Sequence, residues 1–378
     1  MIIGIVVDTT LDSNDGFQQH VLAVGEELAK NHEVHYLTGQ TDSRNNLIGQ
    51  IHSMAKNFSI KINGNRVSTA LPIKKSAATK IIDKFNFDVL YVQSPYSPFM
   101  AGKVILAANK QGIPSVGMFH ITGNSAFERT SMKLLKVLQF RSIRKIHKML
   151  CTSSAAEATA KTGYGYKNTA ILPNPVDVKS YASAKPIINQ GFSQTVFFLG
   201  RHVERKGGLQ LMRAIKVLRD RNQLKDRLFL IGGDGPLRPK LEDYVKEHSL
   251  DDNVRFIGYL SEEDKRSYLK GSDIAIYPAT GGESFGIVLI EAMASDKPVV
   301  LGGDNDGYRT VLKTGHNQLF NPEEPEEIAD SILYFDDPAN VLKATSWQRS
   351  EINQYSTAVV TKKLEEHLLD ATKESKKH

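Results

Sequence analysis

The sequence has 378 residues, of which 40% are hydrophobic and 24% charged, as is ordinary for a folded protein of about two domains. Its single cysteine excludes an internal disulfide, and the lack of an 18-residue apolar run argues against a membrane-spanning helix. Residues 1–180 carry 21 Lys and Arg against 12 Asp and Glu, whereas the remainder carries 27 against 30. This asymmetry predicts that the first half meets an anionic partner, either a lipid surface, a nucleic acid or a phosphorylated small molecule.

The first half of the chain alternates short apolar runs with helical patterns. Ile2–Val7 is a continuous apolar run, which is typical of a strand buried on both faces of a parallel sheet. Further elements are predicted in chain order, with helices at Gly16–Lys30, Gly102–Lys110 and a long basic segment ending at Lys148, and strands at Val34–Leu37, Val89–Val92, Ser115–Phe119 and Met149–Thr152. The alternation predicts a doubly wound α/β domain, which we assign to residues 1–172.

Prolines in Leu172–Asp177 interrupt this pattern, and residues 180–193 have the composition of a linker. The alternation then restarts, with helices predicted at Gly207–Arg221, Leu237–His248 and Ile287–Ala294, and strands at Val196–Leu199, Leu228–Ile231, Val254–Ile257, Ile274–Tyr277 and Pro298–Leu301. We therefore predict a second Rossmann-like domain over residues 173–346, followed by a polar C-terminal helix over residues 347–378.

Two motifs of the second domain lie where doubly wound sheets bind ligands, between a strand end and a helix start. In the first, Glu283 precedes a helix that carries Glu291, and the backbone N–H groups of Phe285–Val288 are placed to bind phosphate. Both carboxylates are suited to accept hydrogen bonds from sugar hydroxyls, or else they are solvated charges at a helix end. In the second motif, Arg201 and Lys206 either converge on a diphosphate or belong to a solvated basic loop.

The first domain offers weaker candidates. His120 follows an apolar strand, where it either binds a substrate or has a structural role. Gly16 begins a helix, where it either lets the backbone approach a ligand or makes the helix start flexible. Asp304–Gly307 lacks the glutamate of a calcium loop, and no Cys/His cluster has zinc spacing, so no metal site and no resident cofactor are predicted.

Basic residues of the first domain form two segments, Lys74–Lys84 and Arg129–Lys148. Arg129–Lys148 interleaves cations with Leu, Val and Phe, as does a helix that lies on anionic lipid, and the alternative is an ordinary solvated helix face. The candidate acceptor or membrane contacts in these segments are Lys74, Lys75, Lys80, Lys133, Lys136, Arg141 and Lys145. A nucleic-acid partner is not predicted, because Phe140 is the one Phe, Tyr or Trp interleaved in the basic helix and no recognised module is present.

Taken together and in this order, the motifs resemble glycosyltransferase family 4, the retaining nucleotide-sugar transferases. The resemblance covers the Gly16 loop, His120 and the signature Glu283-x7-Glu291. It is strongest to the phosphatidylinositol α-mannosyltransferases of that family, through Gln18, His20, and Phe87–Leu90 with Pro95 and Pro98. Two departures are Asp15, where a Gly-Gly pair is usual, and Gln93-Ser94, where His-Glu is usual.

The resemblance implies a GT-B fold, with two Rossmann-like domains facing a central cleft and a C-terminal helix that crosses back to the first domain. It implies that Arg201 and Lys206 neutralise the donor diphosphate and that Glu291 binds the ribose. It further implies roles for the residues that contact the transferred sugar or its phosphates, flank the base, or lie beside the donor sugar and the acceptor, namely Glu283, Phe285, Gly286, Ile287, Val288, Tyr259, Leu260, Gly16, His120 and Gln18.

The reaction implied is the retaining transfer of a hexose from a nucleotide-diphosphate sugar to a hydroxyl. Mannose and GDP-mannose are favoured, with a UDP-sugar as the alternative donor. The acceptor implied is a phosphatidylinositol-type or other lipid, so we expect a cytoplasmic enzyme bound peripherally to the anionic inner face of the cell membrane. Two alternatives remain: a family 4 transferase with a soluble sugar or glycan acceptor, and a Rossmann-type dehydrogenase, which the missing G-x-G-x-x-G disfavours.

Overall fold

The computed structural model describes residues 1–13, 15–44, 46–62, 65–123, 132, 134–188, 191–224 and 226–376. The chain divides into two compact units. The first unit comprises Met1–Pro175 and Thr357–His378, and the second comprises Val176–Ser356.

The first unit is built on a parallel sheet of seven strands in the order β3-β2-β1-β6-β7-β8-β9. These strands are β1 (Ile2–Val7), β2 (Glu33–Gly39), β3 (Gln50–Ala55), β6 (Val89–Gln93), β7 (Ser115–Phe119), β8 (Ile146–Cys151) and β9 (Thr169–Ile171). A separate antiparallel hairpin is formed by β4 (Asn57–Ile62) and β5 (Asn65–Ala70). The strand order reverses between β1 and β6, so the loops after these two strands meet at a switch point, where such sheets bind ligands.

The helices of the first unit cover its central strands. They are α1 (Gly16–Leu28), α2 (Lys75–Phe85), α3 (Ala101–Lys110), α4 (Phe140–Ile143), α5 (Ser154–Thr159), a π-helical turn (Ala160–Tyr164) and the C-terminal helix (Thr357–Ser375). Val21 and Val24 of α1 share one buried cluster with Leu364 and Leu368 of the C-terminal helix. The expected return of the C-terminal helix to the first domain is therefore confirmed.

The prediction of one long basic helix through Lys148 is wrong for the described part of that segment. Residues 134–138 are helical, but Gln139 leaves helical geometry with φ −103° and ψ 12° before the single turn of α4. Ile146 already pairs with Ser115 of β7. The following apolar residues extend this strand into a fully buried position, so sheet pairing prevails over helical continuation here.

The second unit contains a parallel sheet of six strands in the order β12-β11-β10-β13-β14-β15. The strands are β10 (Gln194–Leu199), β11 (Arg227–Gly232), β12 (Val254–Gly258), β13 (Ile274–Tyr277), β14 (Val299–Gly303) and β15 (Leu319–Phe320). The helices are α6 (Val178–Ala182), α7 (Gly208–Asp220), α8 (Arg238–Glu247), α9 (Glu262–Gly271), α10 (Ile287–Ala294), α11 (Asp306–Leu312), α12 (Pro325–Tyr334) and α13 (Pro338–Glu351). The strand order reverses between β10 and β13, and apolar clusters cover both faces of the sheet.

The sequence predicts that the C-terminal helix starts near Trp347. In the structure, Trp347 lies instead in α13 of the second unit. A 3₁₀ turn (Ile352–Tyr355) and an extended Ser356 separate α13 from the C-terminal helix, which begins at Thr357. Across the described ranges, each helix is too short or too polar to cross a bilayer. The predicted α/β class, with two parallel Rossmann-like sheets, is confirmed.

Candidate active site

Glu283 lies at the switch point of the second unit, where the loop after β10 meets the loop after β13. Lys206 Nζ donates to Glu283 Oε1 at 2.8 Å, and Arg205 Nη1 donates to the same oxygen at 2.6 Å. The Glu283 side chain is only 12% exposed. Gly207, with φ +74°, allows the loops to approach this closely, because a Cβ there would lie 1.8 Å from the Pro278 carbonyl oxygen.

Glu283 is ionised because two cations face it. Burial alone would favour the neutral acid, but Lys206 and Arg205 outweigh burial and lower the pKa of Glu283 below its ordinary value. The carboxylate is thus a buried, paired charge rather than a solvated one at a helix end. Lys206 and Glu283 were predicted from the sequence, whereas Arg205 was missed, because it is adjacent to Lys206 and has no motif of its own.

The N-terminus of α10 lies directly after this cluster. Gly286 is the N-cap with φ +106°, and as a glycine it has no side chain with which to cap the helix. A Cβ at Gly286 would come within 2.7 Å of the Tyr308 ring, so only glycine fits this turn. The Phe285 side chain is buried in the apolar core. The first N–H groups of α10, including those of Ile287 and Val288, therefore form an end that favours an anion.

Glu291, on α10, is also a largely buried and paired carboxylate, with its side chain 13% exposed. Lys265 Nζ of α9 donates to Glu291 Oε1 at 2.7 Å and also contacts Glu262 at 2.9 Å. Burial acts to lower the pKa of Lys265, but Glu291 and Glu262 outweigh it and raise the pKa. Burial, followed by the charge of Glu291, raises the pKa of Tyr181 far above its usual range. Sequence analysis missed Lys265, since its partner lies on another helix.

The remaining donor candidates lie at the same edge of the second sheet. Arg201 is in the loop after β10, and Tyr259 and Leu260 follow β12. Tyr259 is 78% exposed, whereas Leu260 packs partly against the apolar core. Because carboxyl ends of parallel strands share one edge, these residues and the Glu283 cluster lie on one side of the unit. Among the residues predicted to bind the donor, Lys206 and Glu283 contact each other directly.

The switch point of the first unit holds a buried histidine network. His20 Nδ1 lies 3.0 Å from Asn174 Oδ1, and His20 Nε2 lies 2.8 Å from the Tyr91 hydroxyl. Burial lowers the pKa of His20 to about 4, although the bond to Asn174 partly opposes this effect. His20 is therefore neutral near pH 7, with Nδ1–H donating to Asn174 and Nε2 accepting from Tyr91.

His120 lies beside this network, 5.3 Å from the His20 ring and 5.1 Å from the Phe17 ring. Its Nε2 is 2.7 Å from Gln93 Oε1, which only accepts, so Nε2 carries the proton and Nδ1 is an acceptor. Burial and then His20 lower the pKa of His120 well below its ordinary value. Gln93 Nε2 and Gln18 Oε1 are buried without a hydrogen-bond partner among the described residues. Sequence analysis did not assign roles to Gln93 or Asn174.

Asp8, at the carboxyl end of β1, is a structural member of the same switch point. Its carboxylate accepts from the N–H groups of Met100 at 3.1 Å and Ala101 at 2.7 Å, where α3 begins. Burial raises the pKa of Asp8 to about 6, although the hydrogen bonds from Ser97, Met100 and Ala101 oppose that shift. Gly16, the first residue of α1, comes at the end of the loop that follows Asp8.

The cations predicted to contact an acceptor or a membrane fall on two surfaces of the first unit. Lys74 and Lys80 line a cavity of about 520 Å³ near the start of α2, which begins at Lys75. Lys136 lines a second cavity of about 450 Å³, and Arg141 and Lys145 are exposed nearby in sequence. Lys133 lies outside the described residues. Within those ranges, no group of three or more His, Cys, Asp or Glu is placed to hold a metal ion.

Comparison with known proteins identifies the class. The family model for Glycosyltransferase Family 4 matches residues 14–180, and that for Glycosyl transferases group 1 matches residues 185–339. The structure of the Anabaena protein HepE with UDP superposes with a TM-score of 0.77 at 16% identity, covering 98% of this chain and 100% of that one. Sucrose-phosphate synthase from Thermosynechococcus elongatus gives 0.74 at 18% identity, covering 98% of each chain. The fold is that of the GT-B glycosyltransferases.

Sequence relatives narrow the assignment. The phosphatidyl-myo-inositol mannosyltransferase of Mycolicibacterium smegmatis is 33% identical over 328 residues, which is 83% of this chain and 79% of that protein. The protein of the same name from Mycobacterium tuberculosis is 29% identical over 341 residues, 88% and 85% of the two chains. The chain belongs to glycosyltransferase family 4.

Proposed function

We propose that this enzyme transfers a mannosyl residue from a nucleotide-diphosphate sugar to a hydroxyl of a phosphatidylinositol-type lipid, with retention of anomeric configuration. The observation that carries the proposal is the cluster of Glu283, Lys206 and Arg205 beside the uncapped N-terminus of α10. The names of the mycobacterial relatives support the choice of sugar and acceptor.

The donor diphosphate is assigned to the start of α10, with Lys206 and Arg201 as its cations. When the bond from the anomeric carbon to the diphosphate breaks, negative charge develops on the leaving group and positive charge on the sugar. Preorganised N–H groups and cations at the diphosphate stabilise that separation of charge more than they stabilise the bound donor. Glu283 holds Lys206 in place at 2.8 Å, so the same carboxylate orients the cation and is available to a sugar hydroxyl.

The nucleoside is assigned to Glu291 and to the residues after β12. The Glu291 side chain, held by Lys265, is suited to accept hydrogen bonds from ribose hydroxyls. The exposed ring of Tyr259, together with Leu260, offers an apolar surface for the base. GDP-mannose is the favoured donor because the similar mannosyltransferases point to mannose, and a UDP-sugar is the alternative because HepE is similar in fold and binds UDP.

The acceptor is assigned to the first unit, around His120, Gln18 and Gln93. His120 presents an unprotonated Nδ1, which can accept from a sugar hydroxyl, and its pKa keeps the ring neutral at physiological pH. In the front-face mechanism proposed here, the acceptor oxygen bonds to the anomeric carbon as the diphosphate leaves, and the acceptor proton passes to a leaving phosphate oxygen. Retention then needs no carboxylate nucleophile.

Peripheral attachment to an anionic membrane gives the enzyme access to a lipid acceptor. Leu134, Val137, Leu138 and Phe140 are all more than half exposed, although they are large apolar residues. They lie in the segment that also carries Lys136 and Arg141. Apolar side chains beside cations are the pattern of helices that lie in a membrane interface, and this favours a lipid over the soluble glycan of the alternative proposal.

A donor and acceptor screen tests the proposal. We expect GDP-mannose or GDP to raise the melting temperature of the protein more than UDP-glucose or UDP, because a specific ligand stabilises the folded state. Transfer should then require phosphatidylinositol vesicles. Efficient transfer to soluble glycans with none to vesicles would contradict the lipid acceptor, and stabilisation by UDP-sugars alone would contradict the donor.

A further inference from the structure

A cavity of about 450 Å³ lies in the first unit where α4 meets the chain around Tyr166. Its lining includes Phe140 and Ile143 of α4, and Tyr164 from the end of the π-helical turn. None of these residues belongs to the histidine network or to the Glu283 cluster. The cavity is therefore a feature distinct from both switch points.

The cations of this cavity are Lys136, Arg144 and Lys167. In the described part of the chain, no acidic side chain lines the cavity, and none of the three cations forms an ion pair with a carboxylate. Arg144 stacks over the Phe140 ring at 4.5 Å, which orients its planar guanidinium. Three positive charges around a concave surface, with no counter-charge among the described residues that line it, favour an oxyanion such as a phosphate.

Gly165 leaves room for the Lys136 ammonium group at the edge of the cavity. Its φ of +78° lies in the left-handed region, and a Cβ at this position would come within 3.0 Å of Lys136 Nζ. The glycine thus lets the backbone turn sharply while leaving room for the Lys136 ammonium group. This close approach brings a cation from the segment before α4 to the loop that carries Tyr166 and Lys167.

Large apolar side chains project into solvent on the same segment. Leu134, Val137 and Leu138 are 62%, 73% and 61% exposed, and Phe140 is 51% exposed. Phe140 belongs both to this exposed apolar segment and to the cavity, because it also lines the cavity and supports Arg144. Exposed apolar side chains that adjoin a cationic cavity match the two layers of a bilayer surface, acyl chains and phosphate groups.

We propose that this cavity binds the phosphate headgroup of an anionic phospholipid that is not the substrate, while Leu134, Val137, Leu138 and Phe140 enter the acyl layer. The inference rests on the membrane attachment in the proposed function, and it adds a saturable headgroup site to a diffuse basic surface. A single bound lipid at this place anchors the first unit without occupying the acceptor region around His120.

The test uses a lipid that is monomeric in water, so that binding reports the cavity rather than a charged surface. Dihexanoyl-phosphatidylglycerol, below its critical micelle concentration, is titrated into the full-length protein by calorimetry. We expect one saturable site in the wild type, and a loss of affinity of at least about tenfold in the double variant Arg144→Ala with Lys167→Ala. Dihexanoyl-phosphatidylcholine should bind much more weakly.

The matched control is the double variant Arg141→Ala with Lys145→Ala, which removes the same charge from neighbouring exposed positions outside the cavity. It should retain the wild-type affinity for the short-chain lipid. A third variant, Val137→Ser with Leu138→Ser, should still bind the short-chain lipid but lose binding to phosphatidylglycerol vesicles. This separation distinguishes the headgroup site from the apolar side chains.

Four outcomes would overturn the inference: no saturable binding of the short-chain lipid, unchanged binding in the cavity variant, equal losses in both charge variants, or equally tight binding of inorganic phosphate alone. Sugar transfer is measured separately on the same proteins. A wild type that binds the short-chain lipid but transfers nothing to phosphatidylinositol would contradict the proposed acceptor and leave the cavity assignment standing.

Discussion

At the scale of single residues, the proposed transfer depends most on Glu283 and Lys206. The pair is largely buried, with exposed side-chain fractions of 12% and 18%. A buried ion pair contributes little net stability, but removing one partner leaves the other charge uncompensated. We interpret the pair as a device that holds a cation in place beside the helix N-terminus, rather than as a source of stability.

Replacing Lys206 by Met should therefore affect transfer more than folding. We expect kcat/KM to fall by an amount equivalent to about 2–4 kcal/mol at the transition state, because a preorganised cation at the leaving group is lost. Lys216→Met is the control, since Lys216 pairs with Asp220 on α7, away from Glu283 in the sequence and on another element. Steady-state kinetics with circular dichroism measures both effects. Wild-type turnover in Lys206→Met would remove this residue from the mechanism.

Glu291 and Lys265 make a second residue-scale prediction, which concerns binding. Glu291→Ala should weaken nucleotide-diphosphate binding by about 1.5–3 kcal/mol, the usual value for a hydrogen bond to a charged group. Lys265→Met should weaken it as well, whereas Lys265→Arg should largely restore it, because a cation again holds the carboxylate. Glu263→Ala, on the exposed face of α9, is the control. Isothermal titration that finds one dissociation constant for all four variants would contradict the assignment.

The raised pKa of Asp8 predicts that the free energy of unfolding depends on pH. Burial raises the pKa of Asp8 to about 6 in the folded state, above its ordinary value of 3.8, so folding favours the protonated acid. The stability associated with that proton is present below pH 4 and is lost as the pH rises through 6. The unfolding free energy of Asp8→Asn, relative to wild type, should therefore increase by up to about 3 kcal/mol between pH 4 and pH 7. Urea denaturation across this range measures it, with the exposed Asp42→Asn as the control, and a constant difference would contradict the prediction.

At the scale of elements, the second site depends on how closely two loops approach. Gly207 has φ +74°, and a Cβ there would overlap the Pro278 carbonyl, whereas Gly112 has φ +73° and open space around it. Gly112→Ala should lower the free energy of unfolding by about 1–2 kcal/mol, from backbone strain alone. Gly207→Ala should cost more and should also reduce transfer, because Lys206 and Arg205 shift away from Glu283. Equal effects of the two variants on melting temperature and turnover would contradict the importance of this contact.

The elements also show what the sequence could predict. Buried strands such as Ile2–Val7 were predictable because parallel strands covered on both faces are continuous apolar runs. The strands Gln50–Ala55, Asn57–Ile62 and Asn65–Ala70 were missed, since they are polar and include a sheet edge and a separate hairpin. The basic segment before β8 was predicted as one helix because cations and apolar residues alternate there without a proline or glycine to end it.

The candidate site was predictable only where spacing within one segment carries the signal. The spacing of Glu283 and Glu291 and that of Arg201 and Lys206 are visible in the sequence. The contacts of Arg205 with Glu283 and of Lys265 with Glu291 join residues 78 and 26 positions apart, so no local pattern indicates them. The roles assigned to individual residues stay predictions until the variants above are measured.

At the scale of the whole molecule, each unit carries a parallel sheet with its own switch point and its own chemistry. The first unit brings together two neutral histidines, His20 of α1 and His120 after β7, and glutamine atoms that have no hydrogen-bond partner among the described residues. The second unit places paired charges and a helix N-terminus at the ends of β10 and β13. This division is consistent with an acceptor bound by the first unit and a nucleotide-sugar bound by the second.

The measurement that tests the account most directly is the analysis of the product formed from GDP-mannose and phosphatidylinositol vesicles by the purified full-length protein. Mass spectrometry of the extracted lipid, with proton NMR of the released glycan, identifies both the mass added and the anomeric configuration. The account predicts one added hexose in the α configuration of the donor, and far less of this product in the same time with Lys206→Met. A β-linked product, or an unmodified lipid together with a glycosylated soluble acceptor, would contradict it.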